Sequence, residues 1–203
     1  MLSRIRFALA RFRHSEKGTL SVEAVMVFPM LLWAYAAMFI YWDAFKAQNI
    51  NLKATYTVAD LISREVLPIT DTYIDGMNEV YEFLIRREDG NNLRVTTVSM
   101  AIDPASDPAD PDVEHRLCWS RATGDMAPID DIGLLTNRLP IMAPGDTLIV
   151  VETEMTWTPP FNFVLWDTGL SEAEYTNLVF TSPRFAATVH VDSDLDGNPD
   201  GCD

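Results

Sequence analysis

From Ala24 to Trp42 the chain runs for nineteen residues without a charge, AVMVFPMLLWAYAAMFIYW. At about 1.5 Å of rise per helical residue this spans about 28 Å, close to the ~30 Å hydrocarbon thickness of a bilayer. The run outlasts the ~7–15 apolar residues of a secretory signal. Asp43, Lys46 and a polar stretch come after it, with no small-residue cleavage site. Trp33, Tyr35, Tyr41 and Trp42 include the interfacial aromatics such a span needs, the last pair at its far edge. A membrane-spanning helix is therefore expected, the competing reading being a core helix of a soluble protein.

The charges orient this span. Up to Gly18 there are five basic residues (Arg4, Arg6, Arg11, Arg13, Lys17) and one acid, Glu16. The other ten Lys and Arg face 29 Asp and Glu, a balance of −19 within an overall −15. Positive flanks stay in the cytoplasm, so a single pass with the N-terminus inside and everything beyond Trp42 exported is expected. An acidic body also argues against a nucleic-acid partner.

Glu23 opens the apolar run, in the stretch KGTLSVEAVMVFPMLL at residues 17–32. An acid near a helix start can be no more than a favourable partner for the helix dipole. Its setting points elsewhere: a basic leader closed by Lys17-Gly18, with Glu23 the fifth residue after that glycine. This resembles the class III leader of type IV pilin-like proteins, and most of all the TadE-like minor pseudopilins of the tight-adherence (Tad/Flp) pilus. The resemblance covers residues 17 to about 65. It implies cleavage by a prepilin peptidase between Gly18 and Thr19 at the cytoplasmic face of a bacterial inner membrane. It implies also that Glu23 pairs with the new N-terminal amine of a neighbouring subunit, and that the protein joins other pilin and pseudopilin subunits in a surface pilus. Physical chemistry agrees: a carboxylate in lipid is costly unless paired. Thr19 stands where many type IV pilins carry an N-methylated Phe.

Past Trp42 the apolar residues Ala44, Phe45, Ala47, Ile50, Leu52, Ala54, Tyr56, Val58, Ala59, Leu61 and Ile62 continue at largely helical spacing. Lys46, Gln48, Asn49, Asn51, Lys53 and Thr55 are read as the opposite, polar face. One helix from about Leu20 to Arg64, kinked at Pro29 and ended before Pro68, is expected. A second helix, capped by Asp71 and reaching Arg87, is expected despite Gly76. The texture then turns to Val, Thr, Ile and Trp bounded by Pro, Gly and Asp, predicting strands at Leu93–Ile102, Val113–Ser120, Asp146–Thr158, Thr176–Thr181 and Phe185–Val191. A short helix at Ile129–Arg138 interrupts them. The fold class is thus α+β: a long transmembrane and spine helix continuing into an exported head with an antiparallel sheet, pilin-like in outline. Four segments result: leader 1–18, membrane and spine helix 19–66, head 67–191, and acidic tail 192–203.

No metalloprotease, nucleophile-elbow or phosphate-loop motif is present, and His115 and His190 fall in predicted strands without ligand spacing. A non-enzyme without a small-molecule substrate is expected. The tail, DSDLDGNPDGCD, does carry a pattern. Asp192, Asp194, Asp196, Asn198 (through its carbonyl), Asp200 and Asp203 occupy calcium-loop positions around the turn residue Gly197. It resembles one thrombospondin type 3 repeat, which implies a structural Ca²⁺; a solvated acidic tail is the alternative. Cys118 and Cys202 both lie on the predicted exported side, where disulfides persist. They allow one intramolecular bridge, the alternatives being an intermolecular bridge or free thiols. Two functions fit: a non-catalytic minor pseudopilin assembled into an adhesive pilus, or an uncleaved, single-pass calcium-dependent binding module on the periplasmic face.

Overall fold

The computed structural model describes residues 19–86, 91–103, 106, 112–160, 172–192 and 201–202. The chain divides into two units, Met1–Asp43 and Ala44–Asp203. Helix α1, Thr19–Ile62, supplies the described part of the first unit and the opening segment of the second.

Between Glu23 and Asp43 α1 carries no charge on any face. Every side chain from Ser21 to Tyr35 is exposed, Val25 and Met26 by 71% and 73%. A core helix would be mostly buried, whereas 6% of the most apolar window here is. The helix is long and apolar enough to cross a membrane. It runs uninterrupted through Pro29, whose ring nitrogen leaves the carbonyl of Val25 without its usual amide donor.

The second unit is a four-stranded antiparallel sheet covered on both faces. Its strands are β1 (Asn91–Ile102), β2 (Val113–Ala122), β3 (Thr147–Trp157) and β4 (Ala173–Thr181), in the order β2-β1-β3-β4. Registers Val95↔Val151, Val151↔Val179 and Leu93↔Thr153 place those residues on one face, which meets α1 and α2 (Asp71–Ile85). On the opposite face Val98, Leu148 and Val150 form a buried cluster with Ile129 and Leu135 from the β2–β3 connection. That connection carries the four-residue helix α3, Gly133–Thr136. Strands covered on both sides explain why burial is continuous rather than alternating through the middles of β1 and β3. Glu152, beneath the same cover, pairs with Arg94, whose Nη1 donates to the Ala127 carbonyl at 2.9 Å, and with Arg138 at 3.6 Å.

Several expectations are corrected. Asp71 does not cap α2; Thr70 does, its Oγ1 accepting the Tyr73 amide at 3.2 Å. Asp71 lies in the first turn, where its charge suits the helix dipole, and meets Arg121 at 3.1 Å. The helix ends at Ile85 because Arg86 takes a left-handed conformation (φ 58°) and donates its amide to Glu82. The helix expected over Ile129–Arg138 shrinks to α3; Ile129 instead runs along the sheet, buried, with its amide given to Ser120 Oγ at 2.9 Å. The strand expected over Phe185–Val191 does not form. Its only described pairing is a single parallel bridge, Ile69↔Val191. Ile69 is flanked by Pro68, which has no N–H, and by Thr70, which is committed to capping α2, so the ladder has nowhere to extend.

Candidate functional site

The residues singled out for processing and assembly lie at the start of α1. Gly18 falls outside the described residues, and Thr19 is the first residue of α1. Glu23 sits on the second turn with its side chain exposed. The helix dipole fades beyond the first turn, so it offers Glu23 little. The next side chains along the helix, Val25 to Leu32 apart from Pro29, are exposed and apolar, and an acid placed among them has a lipid or protein surround to answer to rather than a folded core.

Beyond Asp43 the arrangement differs from what periodicity promised. Asn51 and Thr55, read as surface residues, are 0% exposed, while Phe45, Leu52 and Tyr56, read as apolar-face residues, are 63%, 38% and 57% exposed. The buried stripe is Asn51, Thr55, Val58 and Ile62, with Ala54 and Ala59 beside it, at proper i, i+4, i+7, i+11 spacing. The signal was present; the polarity of two members hid it.

Those two residues join a buried polar network. Tyr81 Oη donates to Asn51 Oδ1 at 2.7 Å, and Asn51 Nδ2 donates to the Tyr175 carbonyl at 3.1 Å. A carbonyl only accepts, so this contact settles which end of the amide points where. Thr55 Oγ1 lies 2.9 Å from the Asn51 carbonyl and 2.7 Å from Thr153 Oγ1. With one proton per hydroxyl, all three short bonds are satisfied once: Tyr81 to Asn51 Oδ1, Thr55 to the Asn51 carbonyl, Thr153 to Thr55. The network ties α1 to α2, β3 and β4. Burial pushes the Tyr81 phenol well above its ordinary value, against an opposing effect of the Thr153 hydrogen bond and with a lesser raising effect of the Glu154 charge. Tyr73 is raised as well, by burial first and then by the hydrogen bond it donates to Glu65 at 3.0 Å and the charge of that carboxylate.

No family model, curated protein or solved structure matches this chain.

The other end of the molecule supplies the second candidate. Cys118 and Cys202 are disulfide-bonded, with Cα atoms 4.7 Å apart and a sequence separation of 84. Of the six residues proposed as calcium ligands, Asp192 is described; Asp194, Asp196, Asn198, Asp200 and Asp203 lie outside the described residues. Asp192 donates its amide to the Ile69 carbonyl at 2.8 Å, and its buried Oδ1 has no hydrogen-bond partner among the described residues. No group of three or more His, Cys, Asp or Glu converges on a point among the described residues. Trp119 and Trp157 are core residues, 4% and 1% exposed. Trp119 Nε1 donates to the Val189 carbonyl at 2.8 Å, and Trp157 packs on Tyr175 with ring centroids 6.5 Å apart. The remaining aromatics of the WTPPFNFVLW stretch, Phe161, Phe163 and Trp166, lie outside the described residues.

Proposed function

We propose that this chain is a minor pseudopilin of the TadE-like kind: a non-catalytic, single-pass inner-membrane protein with a periplasmic head. Its function is to be cut after Gly18 and to pack its N-terminal helix beside other pilin subunits. The observation that carries the reading is Glu23, five residues after Gly18, exposed on a helix whose neighbouring side chains are exposed and apolar. A charge at the centre of a membrane helix costs roughly 3 kcal/mol on insertion-based scales, and Glu23, at the edge of the apolar run, bears part of that cost. The ammonium released at Thr19 by cleavage would offset it when two subunits lie side by side. Removal of the basic leader also takes away the charge that holds the unprocessed chain in its orientation. The continuous helix α1 and the antiparallel α+β unit support this reading without being peculiar to it.

Mass spectrometry of the membrane-extracted protein tests it. With the cognate peptidase active, the first residue is expected to be Thr19. An intact leader, in cells whose peptidase processes other pilins, refutes the reading and favours the uncleaved membrane-anchored binding module.

The tail adds a structural Ca²⁺ to the proposal. Asp192, first of the alternating acids, turns a buried carboxylate oxygen toward no donor among the described residues, as an oxygen awaiting a cation does. The cation would relieve repulsion among the five Asp of the last twelve residues.

A further inference from the structure

We infer that the head docks against a second copy of this chain, the exposed face of α1 beyond Asp43 lying on the exposed face of the neighbour's α2. Both faces lie within the unit Ala44–Asp203. The inference uses neither Glu23 nor cleavage after Gly18, so it stands or falls apart from the pseudopilin reading.

The first face is the side of α1 opposite its buried stripe. Phe45, Leu52 and Tyr56 recur there at i, i+7 and i+11, 63%, 38% and 57% exposed, with Lys46, Asn49 and Lys53 exposed beside them. Large apolar side chains gathered on one face mark an interaction surface, as the same residues scattered singly do not. The lysines differ from the arginines of the head. Arg64, Arg94, Arg121, Arg138 and Arg184 each meet a carboxylate of the same head. Lys46 and Lys53 have no such partner among the described residues.

The second face is on α2, whose buried side is Ile74, Tyr81 and Ile85. On its other side Asp75 and Glu79 are exposed, Glu82 is half-buried and Phe83 is 81% exposed. Asp75 and Glu79 meet no cation among the described residues. The Glu82 carboxylate accepts the Asn78 side-chain amide at 3.2 Å, a contact that leaves its charge in place. Arg86, at the helix end, offsets one of these acids. Lys46 and Lys53 are seven residues apart, as are Asp75 and Glu82, so both rows repeat at about 10.5 Å along their helices.

The two faces also share a level. Tyr81 of α2 bonds Asn51 of α1 at 2.7 Å, so the acidic row passes α1 at the height of its lysines. Two heads set side by side, with this stretch of α1 parallel, bring the lysine row of one against the acidic row of the other without axial slip. Phe45, Leu52, Tyr56 and the neighbour's Phe83 then leave water together. The overall charge favours this pairing over others. At −15 per chain, copies repel where acidic faces meet, and the contact that attracts is one with the cationic stripe on one side.

The test compares the full chain in dodecyl maltoside, an uncharged detergent, with Lys46→Glu/Lys53→Glu, with Asp75→Lys/Glu79→Lys, and with all four changes together. Sedimentation velocity, with one partner fluorescently labelled in mixtures, reads association. The natural chain should self-associate, and less so as salt screens the charges. Either reversal alone should weaken association about tenfold or more, because attractions become repulsions. The two reversed proteins should recover it when mixed, each supplying the sign the other has lost. The fourfold variant should pair with itself and not with the natural chain. All four sites are exposed, so near-UV circular dichroism should match the natural chain. Phe83→Ser should weaken association on the same face with no change of charge. A natural chain that stays monomeric, association that neither reversal nor Phe83→Ser alters, or folded reversed chains that fail to recover one another would overturn the docking. So would association that requires added phosphatidylglycerol, which would assign the lysines to lipid headgroups.

Discussion

The buried hydroxyl pair Thr55–Thr153 allows a double-mutant cycle whose outcome the geometry dictates. Thr55 Oγ1 and Thr153 Oγ1 are 2.7 Å apart, both residues are 0% exposed, and each oxygen has one other neighbour: the Asn51 carbonyl at 2.9 Å and Asn51 Oδ1 at 3.3 Å. Valine matches threonine in shape, so neither substitution opens a cavity. Thr153→Val removes one hydrogen bond, a net loss of about 1 kcal/mol. Thr55→Val removes the shared bond and the one to the Asn51 carbonyl, and leaves the Thr153 proton only the longer contact to Asn51 Oδ1, so about 1–2 kcal/mol is expected. In the double variant the shared bond is lost once. Its cost should be that of Thr55→Val alone, about 1–2 kcal/mol, short of the summed singles by a coupling of roughly 1 kcal/mol. Urea denaturation of the head from Ala44 onward measures this, and thermal melts should move about 2–4 °C per kcal/mol for a domain of this size. Additivity within about 0.3 kcal/mol would mean that the two hydroxyls do not share a bond and that the network is wrongly drawn.

Gly76→Ala should stabilise the head by about 0.5–1 kcal/mol, since Gly76 is interior to α2 with ordinary backbone angles and a Cβ there meets nothing within 4 Å; the same urea titration reads it. Tyr73 and Tyr81 have phenols raised above their unfolded value, so their contribution to stability is whole below about pH 10 and is lost as pH climbs past it. Alkaline absorbance titration should therefore show two tyrosines ionising only as the fold melts, and normal titration of all six would contradict the burial. Glu23→Ala should leave membrane insertion unchanged and stop or slow pilus assembly, scored by membrane fractionation and electron microscopy; normal piliation would reduce Glu23 to a helix-start residue. Millimolar calcium should raise the melting temperature of the full chain in detergent, and magnesium should do less. An equal calcium shift in an Asp194→Ala/Asp196→Ala variant, or none in either protein, would return the tail to a solvated acidic segment.

Much of the architecture followed from local sequence. Nineteen uncharged residues suffice for a membrane-length helix, and Val- and Thr-rich runs between turn residues suffice for four strands, because period and turn chemistry are properties of neighbours in the chain. The helix boundaries at Ile62 and Ile85 came within two residues for the same reason. What only the tertiary structure decided are matters of pairing between distant segments. Asn51 and Thr55 belong to the buried face because Tyr81, Thr153 and the Tyr175 carbonyl wait there to satisfy them, and nothing in α1 itself announces those partners. Phe185–Val191 has a strand's composition, yet the backbone opposite it offers one pairing residue between a proline and a helix cap. The bulge at Cys118 likewise appears only when β1 and β2 are set in register. Polarity assigns a residue to water only when no buried partner exists, and strand propensity makes a strand only where an unpaired edge is in reach.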